Sequence, residues 1–191
     1  MKAIIVARYK EDIYWTRFLS SYKLYIYNKF YEEGLKLPNI GREAHTYIYH
    51  ILKNYDNLDT ISIFLQGDPF YHGADLFQKL NRINEKTQFM SLGDGTVTWN
   101  TYENDKNPVF AHLSIPRTFE WLFNKKCPAI FTYRSGALLA VHRDRIKAHP
   151  KTFYQKIMDY LKIDEKAPWN IELMWNFIFT ANLDSVLKFI K

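Results

Sequence analysis

The ten residues Ile61–Phe70, ISIFLQGDPF, join a short apolar run to a polar turn. Ile61–Leu65 has the length and the residue types of a strand that is buried on both faces. The next four residues, QGDP, break this pattern with residue types that favour turns. Asp68 therefore follows the carboxyl end of a predicted strand, which in an open α/β sheet is the edge at which ligands bind.

The sequence before this stretch predicts two more strands and two helices. Lys2–Arg8 is a continuous apolar strand, and Tyr22–Tyr27 alternates as a second strand does. Between them, Asp12 can cap a helix that we expect to run through Leu19. Arg42–Asn54 then places apolar side chains at helical spacing. The order strand–helix–strand–helix–strand indicates βαβ units with right-handed crossovers and an α/β fold.

The second half of the chain has a less regular pattern. We predict strands and helices at the following positions: strands at Phe89–Leu92, Ile130–Tyr133 and Ala137–Val141, and helices at Asp75–Ile83, Ser114–Phe123, Lys151–Leu161, Ile171–Phe179 (capped by Asn170) and Ser185–Ile190. Asp94–Pro108 is expected to be a loop or a hairpin. Because no repeat or linker interrupts the pattern, residues 1–191 are predicted to form one domain. The last helix has no stop signal, so it either closes the domain or continues into a longer polypeptide.

Charge and composition limit the classes of function. The net charge is +6, which favours an anionic partner. The basic residues are dispersed, with no run longer than Lys125-Lys126, so we expect no specific nucleic-acid binding. Aromatic residues make up 17% of the chain, which suits a sugar or base site and also suits an ordinary core.

Cysteine content and hydropathy indicate where the protein acts. The single cysteine, Cys127, allows no internal disulfide and fits a reducing compartment. The longest apolar run at the N-terminus, AIIVA, is too short for a signal peptide or a membrane span. We therefore expect a soluble cytoplasmic protein with no membrane span.

Two clusters near the predicted strand ends could bind an anion. Ala7, Arg8 and Tyr9 follow the first strand, where a ring can pack a base and a guanidinium can meet phosphate; the alternative is a solvated turn. Arg42 begins the second long helix, whose free N–H groups also suit an anion. Glu43 in the same turn could simply complement the helix dipole.

Two further clusters contain carboxylates. Asp68, after Gln66 and Gly67, could hold Mg²⁺ or Mn²⁺ if a diphosphate supplies the other oxygens, or it could cap its turn. Glu172 is predicted in the first turn of a helix, beside Trp169. It could act as a base or bind sugar hydroxyls, or it could only complement the helix dipole. Ser135 and Gly136 break the chain between two predicted strands and are candidates for the same site.

Several common catalytic motifs are absent from the sequence. It contains no G-x-G-x-x-G and no G-x-x-x-x-G-K-[ST], so neither a dinucleotide fingerprint nor a P-loop is supported. It also contains no H-E-x-x-H and no G-x-S-x-G.

The order of the clusters resembles that of the GT-A glycosyltransferases. A strand ending A-R-Y-x-E-D is followed by a helix that opens N-x-G-R-E, and then by a strand ending F-L-Q-G-D. The blocks VARYKED, LPNIGREAHTYIYHIL, SGALLAVHRDRI and the terminal E-x-x-W-x-x-I-F are similar to glycosyltransferase-like domains of chlorella viruses, fungi and algae. The resemblance covers nearly the whole chain.

This resemblance implies both an activity and a set of site residues. It implies a GT-A-like domain, with a mostly parallel sheet flanked by helices, that moves a sugar from a UDP-sugar to a hydroxyl of a glycan or glycoprotein. The cofactor would be Mn²⁺ or Mg²⁺ bound by Asp68, and Glu172 would be the base. The implied nucleotide-sugar-binding residues are Ala7, Arg8, Tyr9, Arg42, Gln66, Gly67, Asp68, Ser135, Gly136 and Trp169. Gln66 stands where a D-x-D motif has its first Asp, which leaves Asp68 as the one implied metal ligand.

Two other functions compete with this interpretation. A basic, aromatic-rich chain could be a non-enzymatic nucleic-acid or glycan-binding module, although the dispersed charge argues against nucleic acid. Nucleotidyl transfer usually needs two metal-binding carboxylates, and Gln66 argues against it.

Overall fold

The computed structural model describes residues 1–101 and 112–180. Within these ranges the strands are β1 (Lys2–Arg8), β2 (Lys23–Asn28), β3 (Leu35–Lys36), β4 (Ile61–Gln66), β5 (Phe89–Ser91), β6 (Thr96–Asn100), β7 (Ile130–Arg134) and β8 (Leu139–His142). The helices are α1 (Arg42–Asn54), α2 (Leu76–Arg82), α3 (Ile115–Phe123), α4 (Arg143–Lys147), α5 (Lys151–Ile163), α6 (Ala167–Glu172) and α7 (Trp175–Phe179). Short 3-10 helices span Tyr14–Leu19 and Tyr55–Asn57.

Six of the described strands form one mostly parallel sheet in the order β3-β2-β1-β4-β8-β5. β1 lies between β2 and β4 and is parallel to both, whereas β8 is antiparallel to β4 and β5. β6 and β7 pair in a second, antiparallel sheet. The architecture is mixed α/β with helices flanking the main sheet, and it is compatible with a Rossmann-like fold.

The apolar side chains of β1 are buried on both faces of the sheet, as their continuous pattern predicts. Ala3 and Ile5 join the core cluster that includes α1, α5 and α6. Ile4 and Val6 join the opposite cluster, which includes the first 3-10 helix and α2. Because both faces are covered, the sheet meets solvent mainly at its edges, and the carboxyl edge of β1, β2 and β4 is the one that carries the candidate residues.

Two of the predicted helix starts are wrong. Asp12 is not an N-cap: its Oδ1 accepts a hydrogen bond from Tyr14 N at 2.8 Å, but the 3-10 helix starts after Ile13. Asn170 lies inside α6 and is buried, because the helix already starts at Ala167 with a proline in its first turn. The segment predicted as one helix, Ile171–Phe179, is divided between α6 and α7.

Two other predictions fall partly or wholly outside the described residues. The expected loop or hairpin at Asp94–Pro108 contains β6, and the remainder from residue 102 onward lies outside the described residues. The predicted helix Ser185–Ile190 also lies outside them. Within residues 1–101 and 112–180, no helix is long and apolar enough to cross a membrane.

Candidate functional site

A cavity of about 290 Å³ lies at the carboxyl edge of β1, β2 and β4, next to the start of α1. Five predicted site residues line it: Ala7, Arg8, Tyr9, Arg42 and Gln66. Four residues outside the predicted set also line it: Glu11, Lys29, Asn39 and Glu43. The cavity therefore brings together strand ends that are far apart in the sequence, as the βαβ pattern indicates.

The loop after β1 is held in place by hydrogen bonds and ring contacts. Arg8 Nε donates to the carbonyl oxygen of Glu11 at 3.0 Å, and its guanidinium carbon lies 4.5 Å from the centre of the Tyr31 ring. The Tyr9 ring meets Phe30 edge-on at 5.4 Å and is 38% exposed. The loop thus presents a fixed guanidinium and an accessible ring at the cavity.

The start of α1 has an unusual backbone. Gly41 and Arg42 both have positive φ, at 60° and 46°. A Cβ at Gly41 would lie 2.8 Å from His45 Cβ and 3.2 Å from Leu161 Cβ, so only glycine fits without movement. For Arg42 this conformation costs roughly 1–2 kcal/mol, so other contacts must hold the turn. Its guanidinium carbon lies 5.1 Å from the centre of the Trp169 ring.

Lys29 supplies the contacts that hold this turn. It is buried directly after β2, and its Nζ donates to the carbonyl oxygens of Ile40, at 2.5 Å, and of Arg42. Burial lowers the pKa of Lys29 to about 8, with Arg42 acting in the same direction and Glu43 opposing both. The amine is therefore mainly cationic below about pH 8. Its position two residues after the predicted strand Tyr22–Tyr27 is the signal that could have identified it.

Glu172 lies in a different position from the predicted one. It is the last residue of α6, so the proposed role of complementing a helix dipole from the first turn is wrong. Gly136 N donates a hydrogen bond to Glu172 Oε1 at 2.8 Å. Burial raises the pKa of Glu172, while that hydrogen bond and Arg42 oppose the shift.

Gly136 needs to be glycine for two reasons. Its φ is 92°, and a Cβ would lie 2.4 Å from His72 Cβ and Cγ. Ser135 contributes less to the site, because its N–H donates to Gly95 O at 3.2 Å and its hydroxyl approaches Gly95. It lies outside the cavity.

A second carboxylate, Glu43, lies near Glu172 and lines the cavity. Glu43 is 8% exposed, and burial followed by the charge of Glu172 raises its pKa. Tyr47, one turn further along α1, is fully buried, and its hydroxyl has no hydrogen-bond partner among residues 1–101 and 112–180. Burial, Glu43 and Glu172 all raise the pKa of Tyr47. Three polar groups therefore share one buried region.

The turn after β4 points away from this region. Asp68 is exposed, and its Oδ1 accepts a hydrogen bond from Phe70 N at 3.3 Å, which is the turn-capping contact. Gly67 lies under Glu11, whose Oε2 would be 2.5 Å from a Cβ, and Gly67 O accepts a bond from Trp15 Nε1 at 2.9 Å. Asp68 thus follows the cavity residue Gln66 closely in the sequence but does not itself line the cavity.

The described residues offer little to a metal ion by themselves. Among them, no group of three or more His, Cys, Asp or Glu side chains could hold a metal. Asp68 supplies one hard oxygen ligand of the kind that Mg²⁺ and Mn²⁺ accept. A metal bound there would have to take its remaining oxygens from a ligand and from water.

A larger cavity lies elsewhere on the molecule. It has a volume of about 690 Å³ and lies between α3 and α5, where Trp121 and Tyr160 form an aromatic wall. It contains none of the predicted site residues. Its size makes it the main alternative location for a ligand.

Comparison with known proteins gives a family and no activity. The model of the family described as "Protein of unknown function (DUF3431)" matches residues 4–106 and 94–187. No curated protein and no solved structure matches the chain significantly. The chain belongs to the DUF3431 family.

Proposed function

We propose that this chain is a metal-assisted glycosyltransferase of the GT-A type. It would move a sugar from a UDP-sugar to a hydroxyl of a glycan or glycoprotein. The observation that carries the proposal is the meeting of three cations from separate segments, Arg8, Lys29 and Arg42, in one cavity at the carboxyl edge of the sheet. A diphosphate is the ligand whose charge such a group matches.

The cavity has separate regions for the parts of a nucleotide diphosphate. Tyr9 offers an accessible ring for the base. Arg8 and Arg42 can bind phosphate oxygens with two N–H groups each. The N-terminus of the 13-residue helix α1 adds a favourable dipole at the same place.

The chemistry follows from the charges and the protons of these residues. As the sugar leaves the diphosphate, its anomeric C–O bond breaks and the electron pair moves to the phosphate oxygen. Arg8, Lys29 and Arg42 stabilise that negative charge. Glu172 accepts the proton of the acceptor hydroxyl, whose oxygen forms the new bond. Mn²⁺ or Mg²⁺ held by Asp68 would supply further neutralisation of the diphosphate.

A non-enzymatic binding module is the second candidate. Tyr14 and Phe18 are 62% and 63% exposed, and the guanidinium carbon of Arg17 lies 3.3 Å and 4.6 Å from their ring centres. Exposed rings with an adjacent guanidinium suit stacking on a single-stranded nucleic acid or a glycan. These residues lie on the first 3-10 helix and not in the cavity.

A thermal-shift screen distinguishes the two functions. A ligand at 100 times its dissociation constant stabilises a fold by about 2.7 kcal/mol, so UDP or a UDP-sugar with Mn²⁺ should raise the melting temperature measurably. The same nucleotide with a chelator should raise it less. No shift with any nucleotide, together with submicromolar binding of an oligonucleotide at physiological salt, would replace the transferase with the binding module.

A further inference from the structure

The cavity contains a carboxyl group that conflicts with its proposed ligand. Arg8, Lys29 and Arg42 attract a diphosphate, yet Glu43 lines the same wall. An ionised carboxylate there would repel phosphate oxygens. We propose that Glu43 is present as a neutral carboxylic acid at neutral pH and donates a hydrogen bond to the ligand, while Glu172 carries the negative charge of the pair. The choice of ligand rests on the proposed function.

Burial and the neighbouring carboxylate both favour the neutral form of Glu43. Its side chain is 8% exposed. Glu172, at the end of α6, is close enough for its charge to raise the pKa of Glu43 further. Two carboxylates that share a low-dielectric region do not both ionise easily.

Burial decides which member of the pair keeps the proton, because each carboxylate has one stabilising backbone hydrogen bond. Gly136 N donates to Glu172 Oε1 at 2.8 Å, and the backbone N–H of Glu43 acts on its own carboxylate. Arg42 Nε lies 3.6 Å from Glu43 Oε2, but the Arg42 side chain is 57% exposed, so solvent weakens that attraction. Glu43 is buried, whereas Glu172 is only partly buried. The proton therefore belongs on Glu43, and Glu172 keeps the negative charge.

Arg42 and Lys29 oppose this assignment, because their charges lower the pKa of Glu43. Burial and the charge of Glu172 raise that pKa and are the larger causes. Tyr47 adds a buried hydroxyl with no partner among the described residues, and it feels the charges of both Glu43 and Glu172. Burial and the charge of Glu172 raise the pKa of Tyr133, which lies on β7. Tyr47 and Tyr133 thus place two further titratable groups beside the pair.

The neutral acid changes what the cavity can do. A protonated Glu43 is an O–H donor, so it adds to the cations in holding phosphate oxygens and removes the repulsion. A carboxylic acid kept neutral in an apolar site is an established way to obtain such a donor. Glu172 meanwhile stays ionised and can accept a proton.

The decisive experiment observes the ligand-free protein. The side-chain carboxyl carbons of ¹³C-labelled protein are assigned by through-bond NMR and titrated. At about pH 7, well above the ordinary glutamate pKa of about 4.3, we expect the Glu43 resonance to be that of the protonated acid. We expect the Glu172 resonance at the same pH to be that of the carboxylate. A Glu43 resonance in the carboxylate form at about pH 6 or below would overturn the proposal. The titration requires no variant and no transferase activity.

A pair of variants tests the consequence for binding. Pyrophosphate affinity is measured at about pH 6.5, where Lys29 is charged. Glu43→Gln, which replaces one neutral donor by another, should bind within about twofold of the native protein. An ionised Glu43 would instead give a rise of about tenfold in the variant, because a repulsive charge would have been removed. The matched control is Glu11→Gln, which replaces a partly exposed carboxyl group that also lines the cavity and for which we expect that rise.

UDP-sugar binding and the NMR titration of Glu43 test the proposed function and this inference separately. If no UDP-sugar binds but Glu43 is protonated, only the choice of ligand is wrong. If UDP-sugars bind and Glu43 is ionised, the neutral-acid inference is wrong and the transferase remains. Tyr47→Phe gives a further readout, since loss of the neighbouring hydroxyl should move the Glu172 or Glu43 titration, whereas a purely packing role would leave both unchanged.

Discussion

The carboxyl groups at this edge of the sheet are of two kinds. Asp68 is exposed to solvent and uses one oxygen to cap its own turn, whereas Glu43 is buried, Glu172 is partly buried, and the two lie close to each other. An exposed carboxylate is accessible to a hard cation, while burial and a like charge favour the protonated form. The difference separates the proposed metal ligand from the proposed proton-handling pair, although all three are acidic residues beside one cavity.

The largest effect on activity is expected for Glu172, one of the two neighbouring glutamates. Glu172→Gln should lower turnover by roughly 100- to 10,000-fold, because a general base contributes about that much. Donor affinity should change little, since the cations hold the diphosphate. Single-turnover kinetics and calorimetric titration of the donor measure the two quantities.

The control for this variant is Glu85→Gln, which replaces an exposed carboxylate far from the cavity. It should leave turnover unchanged. Normal turnover in Glu172→Gln with an identified acceptor would remove the catalytic role and leave Glu172 with the hydrogen bond to Gly136 alone.

The cationic wall should show the next largest effect. Arg42→Ala should weaken UDP binding by about 10- to 100-fold, because a hydrogen bond to a charged group contributes roughly 1.5–3 kcal/mol. Calorimetry at fixed salt measures the change. Arg117→Ala, which removes a guanidinium from the cavity between α3 and α5, should have no effect. The reverse result would move the ligand to that larger cavity.

Asp68 should affect UDP binding only when a metal is present. Asp68→Asn should remove most of the increment that Mn²⁺ adds to the UDP-dependent rise in melting temperature. The unliganded melting temperature should stay nearly unchanged, because Asn keeps the oxygen that accepts the bond from Phe70 N. Thermal shifts with UDP, with and without Mn²⁺, provide the measurement.

Asp12→Asn is the matched control, because Asp12 caps a turn in the same way and lies in the same region. It should leave the metal increment unchanged. An unchanged UDP–Mn²⁺ shift in the Asp68→Asn protein would show that Asp68 holds no metal and only caps its turn, a contact that Asn keeps.

The smallest effect concerns Lys29 and pH. Burial lowers its pKa to about 8, so the amine is cationic below that value and loses its charge as the pH rises through it. UDP affinity should therefore fall by about tenfold between pH 7 and about pH 9.5, the equivalent of one favourable charge contact. Lys29→Arg, which stays charged throughout, should abolish this fall. A UDP affinity of the native protein that stays constant over this pH range would contradict the charge assigned to Lys29.

Local patterns predicted three strands and the long helix in the first half of the fold, but they predicted neither β3 nor the start of the first 3-10 helix. The helix at Arg42–Asn54 and the strand at Lys2–Arg8 have the predicted bounds, because their apolar periodicity and their flanking residues agree. Clustering of candidates at the carboxyl edge of β1 and β4 followed from the parallel topology alone. Both predictions depend on short-range sequence and on general rules of chain connection.

The features that sequence analysis missed depend on tertiary contacts. Nothing in the residues around Lys29 shows that its amine reaches the carbonyl oxygens of Ile40 and Arg42, or that these contacts hold a left-handed turn. The sequence predicts Glu172 at a helix start, but α6 already begins at Ala167, with Pro168 in its first turn as the start signal. The burial of Glu43 likewise arises from the packing of α6 against α1 and cannot be derived from either helix alone.

The central claim is that a nucleotide diphosphate binds at the carboxyl edge of β1, β2 and β4. Amide chemical-shift mapping of ¹⁵N-labelled protein during titration with UDP and Mg²⁺ tests it most directly. We predict that the largest shifts occur at Ala7–Tyr9, Arg42 and Gln66, while Trp121 and Tyr160 in the larger cavity remain unchanged. Shifts confined to the larger cavity, or no shifts at millimolar UDP, would contradict the account.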